Sequence, residues 1–226
     1  MADIKNSVEK VLEKVIRACE RVGRNPEQVK IVAVSKTFPV EYIEQAYLSG
    51  ILDFGENYIQ EAFKKMEKIG LTNINWHFVG HLQTNKAKYI SRFHLFHSAD
   101  SIKLLDEIER RAEKEINFLI QINIGEEKSK YGIGVGEILK FVEDYISKGY
   151  KRLNLKGLMT IPPISVNPDE TRQYFRKMAQ IRGNIEDRFN LKNLELSMGM
   201  SDDFEIAVEE GATILRIGRA IFGERG

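Results

Sequence analysis

Ile31-Val32-Ala33-Val34-Ser35-Lys36-Thr37 is a short apolar run that ends abruptly in a lysine. Four small or β-branched apolar residues bounded by polar positions read as a strand buried on both faces, the usual condition of a parallel sheet. Pro39 and Glu41 follow, then Val40, Ile43, Ala46 and Tyr47 at helical spacing, closed by Gly50. The strand therefore feeds a helix within a few residues, a βα unit with Lys36 at the carboxyl end of its strand. In βα architectures that end is where sites are built. A lysine there has two readings. It reaches into solvent, as most lysines do, or it serves as a nucleophile, because an apolar strand lowers the cost of the neutral amine that Schiff-base chemistry needs.

The pattern repeats outward from this unit. Before it, Ile4, Val8, Val11, Val15, Ala18 and Val22 make an amphipathic opening helix over residues 3–22, ending at Gly23. After it, strands are expected at 51–54, 76–79, 93–97, 116–122, 153–159, 194–196 and 213–217, each followed by a helical pattern, with Ser101 a cap for the fourth helix. Eight alternating strands and helices point to α/β class, a single (β/α)8 TIM-type barrel with an extra amino-terminal helix, one domain over residues 1–226. A doubly wound open sheet is the alternative.

Composition narrows the function classes. The chain of 226 residues is 42% hydrophobic and 30% charged, ordinary for a soluble globular protein. Thirty-four basic against 33 acidic residues leave a formal charge of +1, so the electrostatic footprint of a nucleic-acid binder is missing. The one cysteine, Cys19, falls on the apolar stripe of the first helix and suits a reducing compartment. No signal peptide is recognisable, and no apolar run approaches the ~20 residues of a membrane span. A cytoplasmic location is expected, without nucleic-acid or membrane partners.

The turns after the last two strands look built for an anion, which is where barrels of this kind place phosphates. Gly199 allows close backbone approach, and Ser201 reads as the cap of a helix whose first amides point outward; Gly218 offers the same in the next turn. A plain capped helix with Asp202 and Asp203 in its first turn is the competing reading. Arg216 lies within the last strand on the face opposite Leu215 and Ile217, where its guanidinium needs an acceptor: a strand-end carboxylate, or the ring nitrogen of a ligand. The four histidines, His77, His81, His94 and His97, lack a second cysteine or a carboxylate cluster, so no metal is expected. Gly132-Ile133-Gly134-Val135-Gly136 has the wrong spacing for a dinucleotide fingerprint and reads as a turn.

Taken together, Val34-Ser35-Lys36, Phe54-Gly55-Glu56-Asn57, His77-Phe78-Val79-Gly80-His81-Leu82-Gln83-Thr84-Asn85-Lys86, Gly157-Leu158-Met159-Thr160, Leu196-Ser197-Met198-Gly199-Met200-Ser201-Asp202-Asp203 and Arg216-Ile217-Gly218-Arg219-Ala220-Ile221-Phe222-Gly223 closely resemble the pyridoxal phosphate homeostasis protein family. That family is similar in fold to the amino-terminal barrel of alanine racemase. The resemblance implies that Lys36 holds pyridoxal 5'-phosphate as a Schiff base and that Arg216 faces its pyridine nitrogen. It implies that Ser201, with the backbone around Gly218 and Arg219, cradles the phosphate, with Ser197 a weaker candidate. Asn57, His81 and Met159 are implied as pocket walls or hydrogen-bond partners, and the Asn123 to Gly132 loop, with Glu127 and Lys130, matches the family without a physical role. A racemase of this class draws a second acid–base group from an additional domain, for which the chain is expected to have no room. The expected function is therefore a non-catalytic, monomeric carrier and buffer of the cofactor, which supplies apo-enzymes. A small amino-acid racemase or decarboxylase is the alternative.

Overall fold

The computed structural model describes residues 3–127, 129–165 and 167–224. Its strands, in chain order, are β1 (Lys30–Val34), β2 (Asp53–Glu56), β3 (Asn75–Phe78), β4 (Leu95–Ala99), β5 (Ile116–Asn123), β6 (Ile133–Gly134), β7 (Leu153–Thr160), β8 (Glu195–Ser197) and β9 (Ile214–Ile217). All pair in parallel. Eight of them close a ring, β1 to β5 and then β7 to β9, with β9 returning to β1 in the register Val32↔Arg216. The two-residue β6 lies outside the ring, its Ile133 opposite Ile122 of β5; it is the Gly132 to Gly136 stretch, a turn with one ladder contact. The expected (β/α)8 barrel is present, and the open-sheet alternative is not.

The helices are α1 (Ile4–Arg21), α2 (Val40–Leu48), α3 (Ile59–Lys68), α4 (Ile102–Arg111), α5 (Ile138–Lys148), α6 (Pro168–Phe189), α7 (Phe204–Glu209) and α8 (Arg219–Phe222). A 3-10 turn, Thr84–Arg92, takes the helix position after β3. The extra helix α1 starts where the Asp3 carboxylate accepts from the Asn6 N–H, and it buries Ile4, Val8, Val11, Val15, Ala18 and Cys19 against α2, α7 and α8. Helix α4 begins at the expected cap, with Ser101 Oγ accepting from Leu104 N at 3.3 Å. No helix among the described residues is long and apolar enough to cross a membrane.

Strand alternation divides the barrel residues into two sets. Outward-facing Phe54, Phe78, Phe96 and Phe118 are fully buried in the layer between sheet and helices. Inward-facing Val32, Leu95, Leu119, Met159 and Ile214 form a second, separate apolar cluster. Asp53, His77, His97, Ser197 and Arg216 share the inward parity, so the barrel interior is part apolar and part polar.

Candidate functional site

A cavity of about 450 Å³ opens at the carboxyl ends of the strands, and Lys36, Asn57, Ser201, Arg216, Gly218 and Arg219 all line it. They arrive from the turns after β1, β2 and β8 and from β9 with its following turn. Residues scattered over the length of the chain meet because every parallel strand delivers its carboxyl end to the same face.

The turn that carries Lys36 is held on both sides. Ser35 N donates to Gly55 O at 3.0 Å, and Ser35 Oγ donates to Glu56 Oε1 at 2.6 Å. Lys65 Nζ, reaching in from α3, donates to Ser35 O, Glu56 Oε1 and Glu61 Oε1, each at 2.7 Å. Glu61 Oε1 in turn accepts from Thr37 N at 2.5 Å, and Thr37 sits at φ +69°. The carbonyl before Lys36 and the amide after it are thus both tied to one buried ion cluster. Burial pushes the Glu56 carboxyl up, against the pull of Lys65 and the hydrogen bond from Ser35. Its Oε2 has no hydrogen-bond partner.

Arg216 is buried, and its acceptors are neutral: Nη1 donates to Ser197 Oγ at 2.7 Å and Nη2 to Thr160 O at 2.8 Å. The strand-end carboxylate reading is therefore replaced by a hydroxyl and a carbonyl. Burial holds its pKa down at about 10, with Asp203 pulling the other way, so it remains a cation at neutral pH.

The turns after β8 and β9 differ from expectation in detail. Ser201 does not cap the helix that follows it. Helix α7 starts at Phe204 behind Asp203, whose Oδ1 accepts from Met200 N at 2.6 Å, because the chain first closes a turn in which Asp203 N and Phe204 N both donate to Met200 O. Ser201 Oγ instead accepts from Ala220 N at 3.1 Å and so ties the two turns together. Gly199 has φ +92°, and a Cβ there would lie 2.5 Å from that of Ala207, so the close approach it permits is to α7. Arg219 pairs with Asp202 at the rim of the cavity.

The other three expected residues lie off the cavity wall. Met159 is in the inward apolar cluster. Ser197 is fully buried beneath Arg216, its hydroxyl shared with His97. His81 is stacked on Tyr131 with ring centroids 3.7 Å apart and Nδ1 3.4 Å from Asp100 Oδ2. In the loop from Asn123 to Gly132, Lys128 lies outside the described residues. Asn123 brackets Glu127, accepting from its N–H and donating to its carbonyl. Lys130 Nζ lies 2.5 Å from Glu127 and donates to Pro162 O at 3.1 Å. The loop after β5 is thereby braced against the loop after β7.

Sequence reasoning missed two groups. Lys65 carried no mark beyond a lysine in a helix, and Glu56 stood in the Phe54-Gly55-Glu56-Asn57 motif without a role. His77 and His97 were weighed as metal ligands, and His77 also as the first residue of a family motif, but neither was given a role; among the described residues no group of three or more such side chains could hold a metal ion. Their signal was parity: each is a polar residue at an inward position of a buried strand.

The cavity suits a small anionic carbonyl compound. Its size is within the range of small-molecule sites. It combines an amine, a buried guanidinium, a serine hydroxyl and Asn57, whose Oδ1 is buried without a partner. An orphaned buried acceptor is costly unless a ligand donor reaches it.

Comparison with known proteins agrees with this chemistry. The family model described as alanine racemase, N-terminal domain, matches residues 11–226. A pyridoxal phosphate homeostasis protein of Aquifex aeolicus is 44% identical over 220 residues, covering 96% of this chain and 96% of its own. The protein of the same name from Escherichia coli K12 is 38% identical, covering 100% of this chain and 98% of its own. The solved structure of PipY from Synechococcus elongatus PCC7942 with PLP bound superposes with a TM-score of 0.80 at 31% identity, covering 93% of this chain and 100% of PipY. Matched along nearly its whole length in sequence and in fold, the chain belongs to the pyridoxal phosphate homeostasis protein family, built on the alanine racemase N-terminal domain.

Proposed function

We propose that this chain is a single pyridoxal 5'-phosphate-binding barrel domain that holds the cofactor as a Schiff base on Lys36 and acts as its carrier and buffer inside the cell. The observation that carries the reading is the convergence of Lys36, Arg216 and Ser201 on one cavity, with the Lys36 turn anchored on both sides. When bound, the cofactor supplies an aldehyde that a lysine amine can capture reversibly and a pyridine ring that accepts electrons. Lys36 provides the amine. Ser201, Gly218 and Arg219 take the phosphate, and Asn57 offers its unpartnered oxygen to a donor on the ligand. Arg216, a donor-only cation, meets the ring nitrogen and keeps it unprotonated, which weakens the ring as an electron sink.

That last role favours storage over catalysis. Racemisation requires a positioned base on each face of the cofactor plane, and the residues assigned here supply at most Lys36. The protein is proposed to work as a monomer in the cytoplasm, handing its cofactor to apo-enzymes.

Three measurements test this. Pyridoxal without its phosphate should bind far more weakly than pyridoxal 5'-phosphate, since each lost charge-assisted hydrogen bond is worth roughly 1.5–3 kcal/mol; equal affinities would remove the phosphate site. The loaded protein should activate an added apo-enzyme. Incubated with each proteinogenic amino acid it should give no sustained turnover; repeated turnover that is lost in Lys36→Ala would replace the carrier by a small racemase or decarboxylase.

A further inference from the structure

Beneath Arg216 an unbroken line of hydrogen bonds crosses the barrel. Arg216 Nη1 meets Ser197 Oγ at 2.7 Å, Ser197 Oγ meets His97 Nδ1 at 2.9 Å, His97 Nε2 meets His77 Nδ1 at 2.9 Å, and His77 Nε2 meets Asp53 Oδ1 at 2.8 Å. Ser197, His97 and His77 are fully buried. Asp53 opens β2 at the amino-terminal end of the barrel, whereas Ser197 closes β8 at the carboxyl end. The line therefore runs from one end of the interior to the other, and its Ser197–His97 link joins β8 to β4, which are not neighbours in the ring.

With both rings neutral, the two ends fix the direction of every link. A guanidinium only donates and a carboxylate only accepts. Ser197 Oγ must accept from Arg216, so its own hydrogen goes to His97 Nδ1. His97 then carries its proton on Nε2 and gives it to His77 Nδ1, and His77 Nε2–H donates to Asp53. Each ring is then a neutral Nε2–H tautomer; a second proton on His77 would set two donors face to face, and one on His97 would turn the Ser197 hydrogen out of the line. The electrostatics agree. Burial holds both histidines below their ordinary range, against the pull of Asp53 on His77; His97 lies well below, with the neighbouring cations adding to the effect of burial. Hydrogen bonds that all point one way polarise one another.

Other charges face the Asp53 end. Lys30 Nζ, from β1, lies 4.0 Å from Asp53 Oδ1, and the exposed His94 ring lies 5.5 Å from that of His77. Arg216 has no ion pair of its own among the described residues; Asp203 acts on it only at longer range.

We propose that Asp53, His77, His97 and Ser197 are positioning residues: a one-way relay that holds the Arg216 guanidinium fixed and charged at the cavity floor, so that the far end of the barrel sets how the ring nitrogen of the ligand is met. The proposal rests on the reading that the cavity takes pyridoxal 5'-phosphate, and its test separates the two.

The first arm needs no cofactor. Nitrogen–proton correlation spectra of the full chain should show His77 and His97 as Nε2–H tautomers that do not titrate between about pH 5 and 8, the window of ordinary histidines. Arg216 Nη signals should be sharp in the wild type and broadened in His97→Phe. An Nδ1–H tautomer at either ring, a titrating His97, or unchanged Arg216 signals in His97→Phe overturns the relay.

The second arm titrates pyridoxal 5'-phosphate into the wild type, His97→Phe, His97→Gln and Asp53→Asn, and records visible absorbance against pH. His97→Phe should raise Kd roughly tenfold, the equivalent of one net hydrogen bond, and shift the pH profile. His97→Gln, whose amide can accept from Ser197 and donate to His77, should recover most of both. Asp53→Asn, which touches no cavity residue, should still shift the profile. Wild-type profiles in His97→Phe and Asp53→Asn would overturn the relay while leaving the cofactor reading intact. A wild type that takes up no cofactor would overturn that reading, and the relay would be decided by the first arm.

Discussion

Replacing Lys65 by methionine should be one of the most destabilising single changes in this chain. Lys65 Nζ makes three hydrogen bonds of 2.7 Å, two of them to carboxylates and one to the carbonyl of Ser35. Its side chain is 8% exposed and that of Glu56 is 0% exposed. Removing one partner of so buried a pair leaves a charge without compensation, at a cost of roughly 3–5 kcal/mol. Glu61 is more exposed and adds little. Protonation limits the cost, because burial already pushes the Glu56 carboxyl up and loss of Lys65 pushes it further. A carboxyl whose folded pKa lies above its unfolded value binds more protons folded than unfolded. The deficit of Lys65→Met should therefore shrink as pH falls from 7 toward the ordinary glutamate range and grow again as pH rises. Glu56→Leu combined with Lys65→Met should recover half or more of the loss. Urea unfolding can be followed by the fluorescence of Trp76, the single tryptophan, which is buried. A loss below about 1 kcal/mol, typical of an exposed pair, would refute the claim that this cluster anchors the Lys36 turn.

Acidification should also destabilise the protein through its histidines. His77 and His97 are held neutral in the fold, chiefly by burial, so below the unfolded value of about 6.5 the unfolded chain gains protons that the folded chain refuses. Stability present above that pH is lost as pH falls, by about 1.4 kcal/mol per pH unit for each such histidine; urea midpoints between pH 7 and 5.5 check this, and His97→Phe should flatten the slope. Gly80→Ala should displace the turn that holds Asn57, since a Cβ there would lie 2.2 Å from Asn57 O. An overpacking cost of roughly 1–3 kcal/mol and weaker cofactor uptake are expected in melting and titration, and unchanged values in both would contradict the placement.

The barrel was legible because the βα alternation survives in the chain as apolar runs punctuated by helical periodicity. Strand ends were less so. β2 was expected at 51–54 and occupies Asp53–Glu56, because pairing with β1 in the register Val34↔Gly55 carries a glycine and a glutamate into the ladder, residues whose intrinsic strand preference is poor. The cavity was legible for a related reason: Lys36, Ser201, Gly218 and Arg219 each stand after an apolar run, and a parallel barrel sends all such positions to one face. Ser197 illustrates the limit, since being last in β8 rather than first in the turn places it inside the barrel. What sequence could not disclose was partnership. Lys65 looks like any helical lysine until α3 is seen to aim it at Ser35 O, and His77 and His97 look unrelated until their strands adjoin.

The central claim, that Lys36 captures the cofactor, is tested most directly by reducing the loaded protein with borohydride and mapping the modified peptide by mass. The account predicts one pyridoxyl-phosphate adduct, on Lys36, with the visible absorbance abolished in Lys36→Ala. An adduct on another lysine, or full absorbance in Lys36→Ala, would contradict it.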